Sequence, residues 1–279
     1  MSIISKVYNR IQHEDRKIKF ILSKILFRSK LCILFKIKRE KYRLQFSPTS
    51  FAWQLWYHGD KMLSDEVFIQ DYLGPGDVFL DIGANIGTHS LLAAATVGKN
   101  GKVFAFEAHP RIFGFLLKNC AINGFDTITA YNFAIGNGNA LLKLSDLSLD
   151  DRNSVIPSGK GITVIEKRLD EFDFPGTIDL MKIDVEGYEK FILLGGNRTL
   201  SKVNCIIYES ANRLFRNYGY GSRDVIRLLE QQGFSLYGLK KFKKEIYSLP
   251  ENYTSTTMEN LLAIRNIQSF KKKTGYKIE

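Results

Sequence analysis

Cysteine is scarce: three in 279 residues, widely spaced at Cys32, Cys120 and Cys205. With no Cys-x-x-Cys pair, that excludes a disulfide framework and a structural zinc site. They read as small buried hydrophobes in a reducing compartment. No run of about 18 apolar residues occurs, so no membrane-spanning helix is expected. A P-loop, G-x-x-x-x-G-K-[ST], is absent, and so is the dinucleotide fingerprint G-x-G-x-x-G. The Asn/Asp-Pro-Pro-Tyr motif of amide and base N-methyltransferases is also missing. With 44% hydrophobic and 25% charged residues the composition is that of a globular chain, neither disordered nor collagen-like.

Acidic residues are scarce at the two ends. Residues 1–45 hold 13 Lys/Arg against 3 Asp/Glu, and residues 240–279 hold 9 against 4. The stretch between, 46–239, has 18 basic and 22 acidic residues, a net of −4 inside a chain of net +11. The high pI therefore belongs to the ends, and nucleic acid is not an expected partner of the core. Three parts follow: a basic amphipathic extension (1–45), a catalytic domain (46–265) and a basic, frayed tail (266–279). In the extension Ile18, Ile21, Leu22 and Ile25 form one helical stripe opposite Lys17, Lys24 and Arg28. The plain reading packs that stripe on the core. The sharper one lays the helix on an anionic membrane surface, a peripheral contact at the inner face of a membrane by an otherwise cytoplasmic protein.

From residue 78 the pattern alternates. Short apolar runs at 78–82, 102–106, 127–135, 179–184, 203–208 and 234–239 read as strands. Helical segments at 86–97, 111–122, 188–200 and 223–232 lie between them, and a hairpin is expected through 141–144. Residues 146–161 read as a loop. Such alternation means a parallel sheet covered on both faces.

The most informative stretch is the turn after the first strand, Asp81-Ile-Gly83-Ala-Asn85-Ile-Gly87. Glycines there permit a positive φ and a close approach of ligand or helix, at the edge where α/β sheets bind nucleotides. Glu107, ending the second strand, can accept both hydroxyls of a ribose. A pyrophosphate needs several free backbone N–H groups. S-adenosylmethionine has no phosphate and carries an amino acid, which Asp81 and Asn85 could contact.

The segments D-I-G-A-N-I-G-T-H-S (81–90), F-A-F-E-A-H-P (104–110) and M-K-I-D-V-E-G-Y-E (181–189) resemble the motif blocks of the FkbM family of S-adenosylmethionine-dependent methyltransferases. The resemblance spans about residues 55–265. It implies an α/β class I (Rossmann-like) fold with a seven-stranded, mostly parallel sheet, its last strand antiparallel. It further implies O-methylation of a hydroxyl on a sugar, glycan or polyketide. By the same resemblance Gly83, Asn85 and Gly87 line the cofactor, Glu107 holds its ribose, and Ala134 lies near its adenine.

Methyl transfer to a hydroxyl needs alignment and a proton acceptor. Lys182, Asp184 and Glu186 would share one face of the fourth strand if it extended that far, and Glu209 ends the fifth. Neighbouring carboxylates raise each other's pKa, which suits a base; they could equally hold a divalent ion, although no metal set is expected. The plainer readings make Lys182 a buried partner of a carboxylate and Glu186 a helix-start acid. His89 and His109 read as structural. Two other functions compete with this reading: a nicotinamide-dependent oxidoreductase, and a non-catalytic membrane-associated or RNA-binding protein keeping the fold.

Overall fold

A computed structural model describes residues 17–59, 62–147 and 153–279. The basic segment before Lys17 and the middle of the 146–161 loop lie outside the described residues. The chain opens with α1 (Lys17–Arg28), a 3₁₀ turn (Leu31–Leu34) and the antiparallel pair β1 (Lys36–Lys38) and β2 (Arg43–Gln45). Then come α2 (Ser50–His58) and α3 (Ser64–Tyr72). The alternating part runs β3 (Val78–Ile82), α4 (Thr88–Val97), β4 (Lys102–Phe106), α5 (Pro110–Asn123) and β5 (Ile128–Tyr131). Four strands follow: β6 (Ala134–Gly136), β7 (Leu141–Leu144), β8 (Val155–Ile156) and β9 (Ile162–Arg168). Next are β10 (Ile178–Ile183), α6 (Glu189–Leu194), α7 (Asn197–Leu200) and β11 (Val203–Ser210). The chain closes with α8 (Asn212–Phe215), α9 (Ser222–Gln231), β12 (Ser235–Leu239), β13 (Glu245–Ser248), β14 (Glu259–Ile264), α10 (Ile267–Thr274) and β15 (Lys277–Ile278).

The main sheet has the order β15-β13-β12-β14-β11-β10-β3-β4-β5. Strands β11, β10, β3, β4 and β5 are mutually parallel, and β14 is antiparallel to β11 and β12. That is the expected seven-strand pattern, extended at one edge by β13 and β15. Its central strands are buried on both faces, with Phe79, Leu80, Met181 and Ile206 inaccessible, which is why they read as continuous apolar runs. Pro110 sits at the first position of α5, and the His109 ring caps it by accepting the Arg111 N–H at 3.2 Å.

Four local expectations change. The third strand divides, because the Asn132 amide donates to the carbonyls of Glu107 and Ala108 (2.8 and 3.0 Å) and turns the chain out of the sheet. β6 then enters a separate sheet of order β6-β9-β7-β8, so the expected hairpin does not form: β9 lies between β6 and β7. The helix at 188–200 is interrupted at Gly195 and Gly196. The tail 266–279 is not frayed. Phe270 and Tyr276 are buried against Phe68 and Tyr72, and β15 pairs with β13.

The described part of the extension, residues 17–45, packs on the core, but not through the expected stripe. Phe20, Ser23 and Leu26 face inward; Ile18, Ile21, Leu22 and Ile25 are exposed. The Phe20 ring lies 5.9 Å from Trp53 and 5.7 Å from Tyr57, and the Trp53 indole N–H donates to Ser23 Oγ at 2.9 Å. A buried Arg39–Glu66 ion pair at 2.7 Å ties the β1–β2 turn to α3.

Candidate active site

The carboxyl ends of β3, β4, β10 and β11 open on a cleft of about 780 Å³. Among the lining residues are Gly83, Asn85, Glu107 and Ala134 from the expected cofactor set, and all four of Lys182, Asp184, Glu186 and Glu209. Asp81 and Gly87 lie outside the lining. Asp81 is fully buried beneath the turn and accepts the Ser90 hydroxyl at 2.5 Å. Gly87, at φ +93°, begins α4, and a Cβ there would come within 2.5 Å of Leu116.

At Gly83 φ is +83°, and a Cβ would stand 1.9 Å from the carbonyl oxygen of Asp184. What a side chain meets here is thus the backbone at the end of β10 rather than ligand space. The turn also consumes its own donors. Gly83 and Ala84 both donate to the Phe106 carbonyl (3.0 and 2.9 Å), and Gly87 donates to Ala84 (2.9 Å). Asn85 N–H donates to Glu107 Oε2 at 2.8 Å, and Ile86 N–H to Asn85 Oδ1 at 2.7 Å. Five successive N–H groups, 83–87, are thus satisfied within the protein. A pyrophosphate would have to displace them. This turn therefore suits a cofactor without phosphate better than a nicotinamide dinucleotide.

Glu107 does more than end a strand. Its second oxygen accepts the His109 N–H at 2.8 Å, so one carboxylate clamps the loops after β3 and β4. That position, between two loops and open to the cleft, suits two ribose hydroxyls. Phe133, Ala134 and Ile135 supply an apolar wall for a flat ring.

The acidic end of the cleft is built from two strands and a turn. β10 stops at Ile183, so strand alternation does not carry Glu186 there. A left-handed turn does, with Glu186 at φ +55° followed by Gly187 at +101°. The helix-start role belongs to Glu189 instead, whose Oε1 accepts the N–H groups of Val185 and Gly187. Asp184, Glu186 and Glu209 each place a carboxylate oxygen within 4.8 Å of the others, a set that could hold a divalent ion. Burial, reinforced by Asp184 and Glu186, pushes the Glu209 carboxyl up to about 9. Lys182 is 4% exposed and pairs with Asp184 at 3.0 Å. Burial alone would lower its pKa, but the carboxylates of Asp184, Asp81 and Asp65 outweigh it, and the ammonium is held charged.

Sequence reasoning missed several contributors. Asp65, at the start of α3, reaches His89 Nε2 at 2.9 Å, beside Lys182. Burial opposes both charges, yet the pairing raises the His89 pKa and holds Asp65 well below the carboxylate range. Nothing in the spacing of 65 and 89 could have paired them. The second sheet forms one wall through Leu144 and Val155, and α2 forms another through Phe51 and Gln54. Beyond β11, Arg213 and Asn217 stand exposed at the mouth. His109 is structural, as expected; its Nε2 also meets Asp146 at 3.2 Å.

This sheet order, with its antiparallel β14 and a glycine turn facing a strand-end acid, is that of the class I S-adenosylmethionine-dependent methyltransferase fold. The model of the family described as "Methyltransferase FkbM domain" matches residues 81–236, and the chain belongs to that family. It is 29% identical over 163 residues to the hexuronic acid methyltransferase AglP of Haloferax volcanii, covering 57% of this chain and 64% of that protein. It is 30% identical over 94 residues to the mouse tRNA (guanine(37)-N(1))-methyltransferase, covering 34% of this chain and 17% of that one. Among solved structures, a methyltransferase FkbM from Methylobacillus flagellatus aligns with TM-score 0.44 and 14% identity, over 68% of this chain and 44% of that one. The matches therefore span less than two thirds of these relatives' own lengths.

Proposed function

We propose that the protein is an O-methyltransferase acting on a hydroxyl of a sugar, glycan or related small molecule. The observation that carries this reading is the meeting of Asp184, Glu186 and Glu209 in the cleft that holds the glycine turn. The bound cofactor supplies an activated methyl group on a sulfonium. The chain must hold it, align the acceptor and take the acceptor's proton. Gly83, Asn85, Glu107 and Ala134 border the cofactor, and Asp81 and Gly87 support the turn from below. Burial beside Asp184 and Glu186 makes Glu209, once ionised, a stronger base than an ordinary carboxylate, which suits it to take the hydroxyl proton. Asp184, steered by Lys182, positions the hydroxyl, and Glu186 borders it. AglP is named for a sugar acid, and Arg213 at the mouth offers a cation to such a carboxylate. A core of net −4 with three carboxylates in its cleft does not favour an RNA acceptor.

The test is a screen of sugars and uronic acids with labelled cofactor, run on wild type, Asp184→Asn and Glu209→Gln. Both variants should keep affinity for S-adenosylhomocysteine by calorimetry and lose about 10²–10⁴-fold in turnover, the usual worth of a general base. Label on none of these acceptors, or full turnover in both variants, refutes the reading. Activity lost to chelator and restored by Mg²⁺ would assign the carboxylates to an ion.

A further inference from the structure

Helix α1 is apolar on two faces, and only one is used. Phe20, Ser23 and Leu26 are buried against α2. The other face carries Ile18, Ile21, Leu22 and Ile25, and the 3₁₀ turn and the residue after it add Leu31, Ile33, Leu34 and Phe35. These eight are 42–84% exposed, and they are half of the sixteen exposed large hydrophobics among the described residues. The surroundings carry charge of one sign. Residues 17–45 hold ten Lys/Arg and one acid, Glu40, and Arg28, Lys30, Lys36 and Lys38 are all exposed.

We propose that this face docks on an anionic lipid bilayer, a conclusion that rests on the acceptor reading above only in naming what is methylated there. An exposed aliphatic stripe rimmed by cations matches acyl chains beneath anionic headgroups. A second copy fits it worse, since two such basic faces would repel. The 12 described residues of α1 span about 18 Å, short of about 30 Å of hydrocarbon, and their exposed stripe lies along one side of the helix, which suits a position in the interface. Helix α2 links this face to the site: Trp53 and Tyr57 hold α1, while Phe51 and Gln54 line the cleft. Docking thus brings the α2 wall of the cleft one helix away from the bilayer and suits a lipid-carried acceptor.

The test is co-sedimentation of the full-length protein with vesicles of phosphatidylcholine alone or mixed with phosphatidylglycerol. Wild type and the charge-neutral variant Ile21→Gln/Ile25→Gln are compared at low and high salt. Both isoleucines are exposed, so the buried face of α1 stays intact, and unchanged S-adenosylhomocysteine affinity confirms the fold. The wild type should bind mixed vesicles and release them in salt, and the variant should bind at least about tenfold more weakly. No wild-type binding to mixed vesicles overturns the proposal. Equal binding by both proteins also overturns it, leaving a basic face that any polyanion, RNA included, could occupy. A dimer that the double variant dissolves assigns the face to a second copy. Failure to methylate any sugar, with vesicle binding intact, sinks only the acceptor reading.

Discussion

Replacing Gly83 by alanine tests whether the glycine turn is shaped by the neighbouring strand. Its φ of +83° puts a non-glycine residue in the left-handed region, and the new Cβ lies 1.9 Å from the Asp184 carbonyl oxygen and 2.9 Å from its carbon. Ordinary contact begins more than 1 Å further out, and the obstacle is backbone, which cannot rotate away. The turn must lift off the end of β10, straining the 3.0 Å bond from Asp184 N–H to Ile82. Left-handed strain of about 1–2 kcal/mol and an overpacking cost of about 1–3 kcal/mol together give roughly 2–5 kcal/mol. For a chain of this size that is a fall of about 4–20 °C in melting temperature. Thermal unfolding reads it, with Gly114→Ala as control. Gly114 lies inside α5 with nothing within 4 Å of a new Cβ, so that change should be neutral or stabilising. S-adenosylhomocysteine affinity should fall with Gly83→Ala, because the Asn85–Glu107 bond hangs on the same turn. A variant that melts within about 2 °C of wild type and binds normally would refute the reasoning.

Glu107→Ala removes a charged ribose partner and frees the N–H groups of Asn85 and His109. S-adenosylhomocysteine should bind about 10–150-fold more weakly by calorimetry, and an unchanged Kd would reject the assignment. The Asp65–His89 pair is strongest at mildly acidic pH. Raised His89 contributes fully below about 6.5 and loses its contribution as pH rises through its folded value; lowered Asp65 contributes above about 4 and loses it in acid. Asp65→Asn should therefore lower the melting temperature more near pH 5.5 than near pH 9, and a difference independent of pH would exclude the pair. The Glu209 carboxyl keeps its proton to about 9 in the folded state against about 4.3 unfolded, so its contribution declines as pH rises between those values. Glu209→Gln should melt above wild type at pH 9, and wild-type turnover should climb toward that pH. Identical melting curves there would mean that Glu209 ionises freely.

The core of this molecule was legible because its signals are local. Strands buried on both faces must be apolar throughout, so β3, β4, β10 and β11 declared themselves within five to eight residues each. The turn after β3 needs glycine where chain passes against chain, and side chains at strand ends must face the cleft. That brought Glu107, Asp184 and Glu209 to the site from their positions alone. Glu186 also reached it, though through a turn and not along the strand.

Other features depended on partners far away in the chain. Two stripes of α1 satisfy the same helical period, and α2, through Trp53 and Tyr57, decides which one is buried. Three successive lysines in α10 mask Phe270, which becomes an anchor only because α3 presents Phe68 and Tyr72 to it. The second sheet follows from a side-chain bond at Asn132 that turns the chain out of the first. Asp65 meets His89 across 24 residues, and the turn's N–H groups are spent on Phe106 and Glu107. Periodicity records which residues can be buried or aligned within one element. Which of them are, and which polar groups remain free for a ligand, is decided by packing between elements, where burial and hydrogen bonding select one arrangement among several that local pattern allows equally.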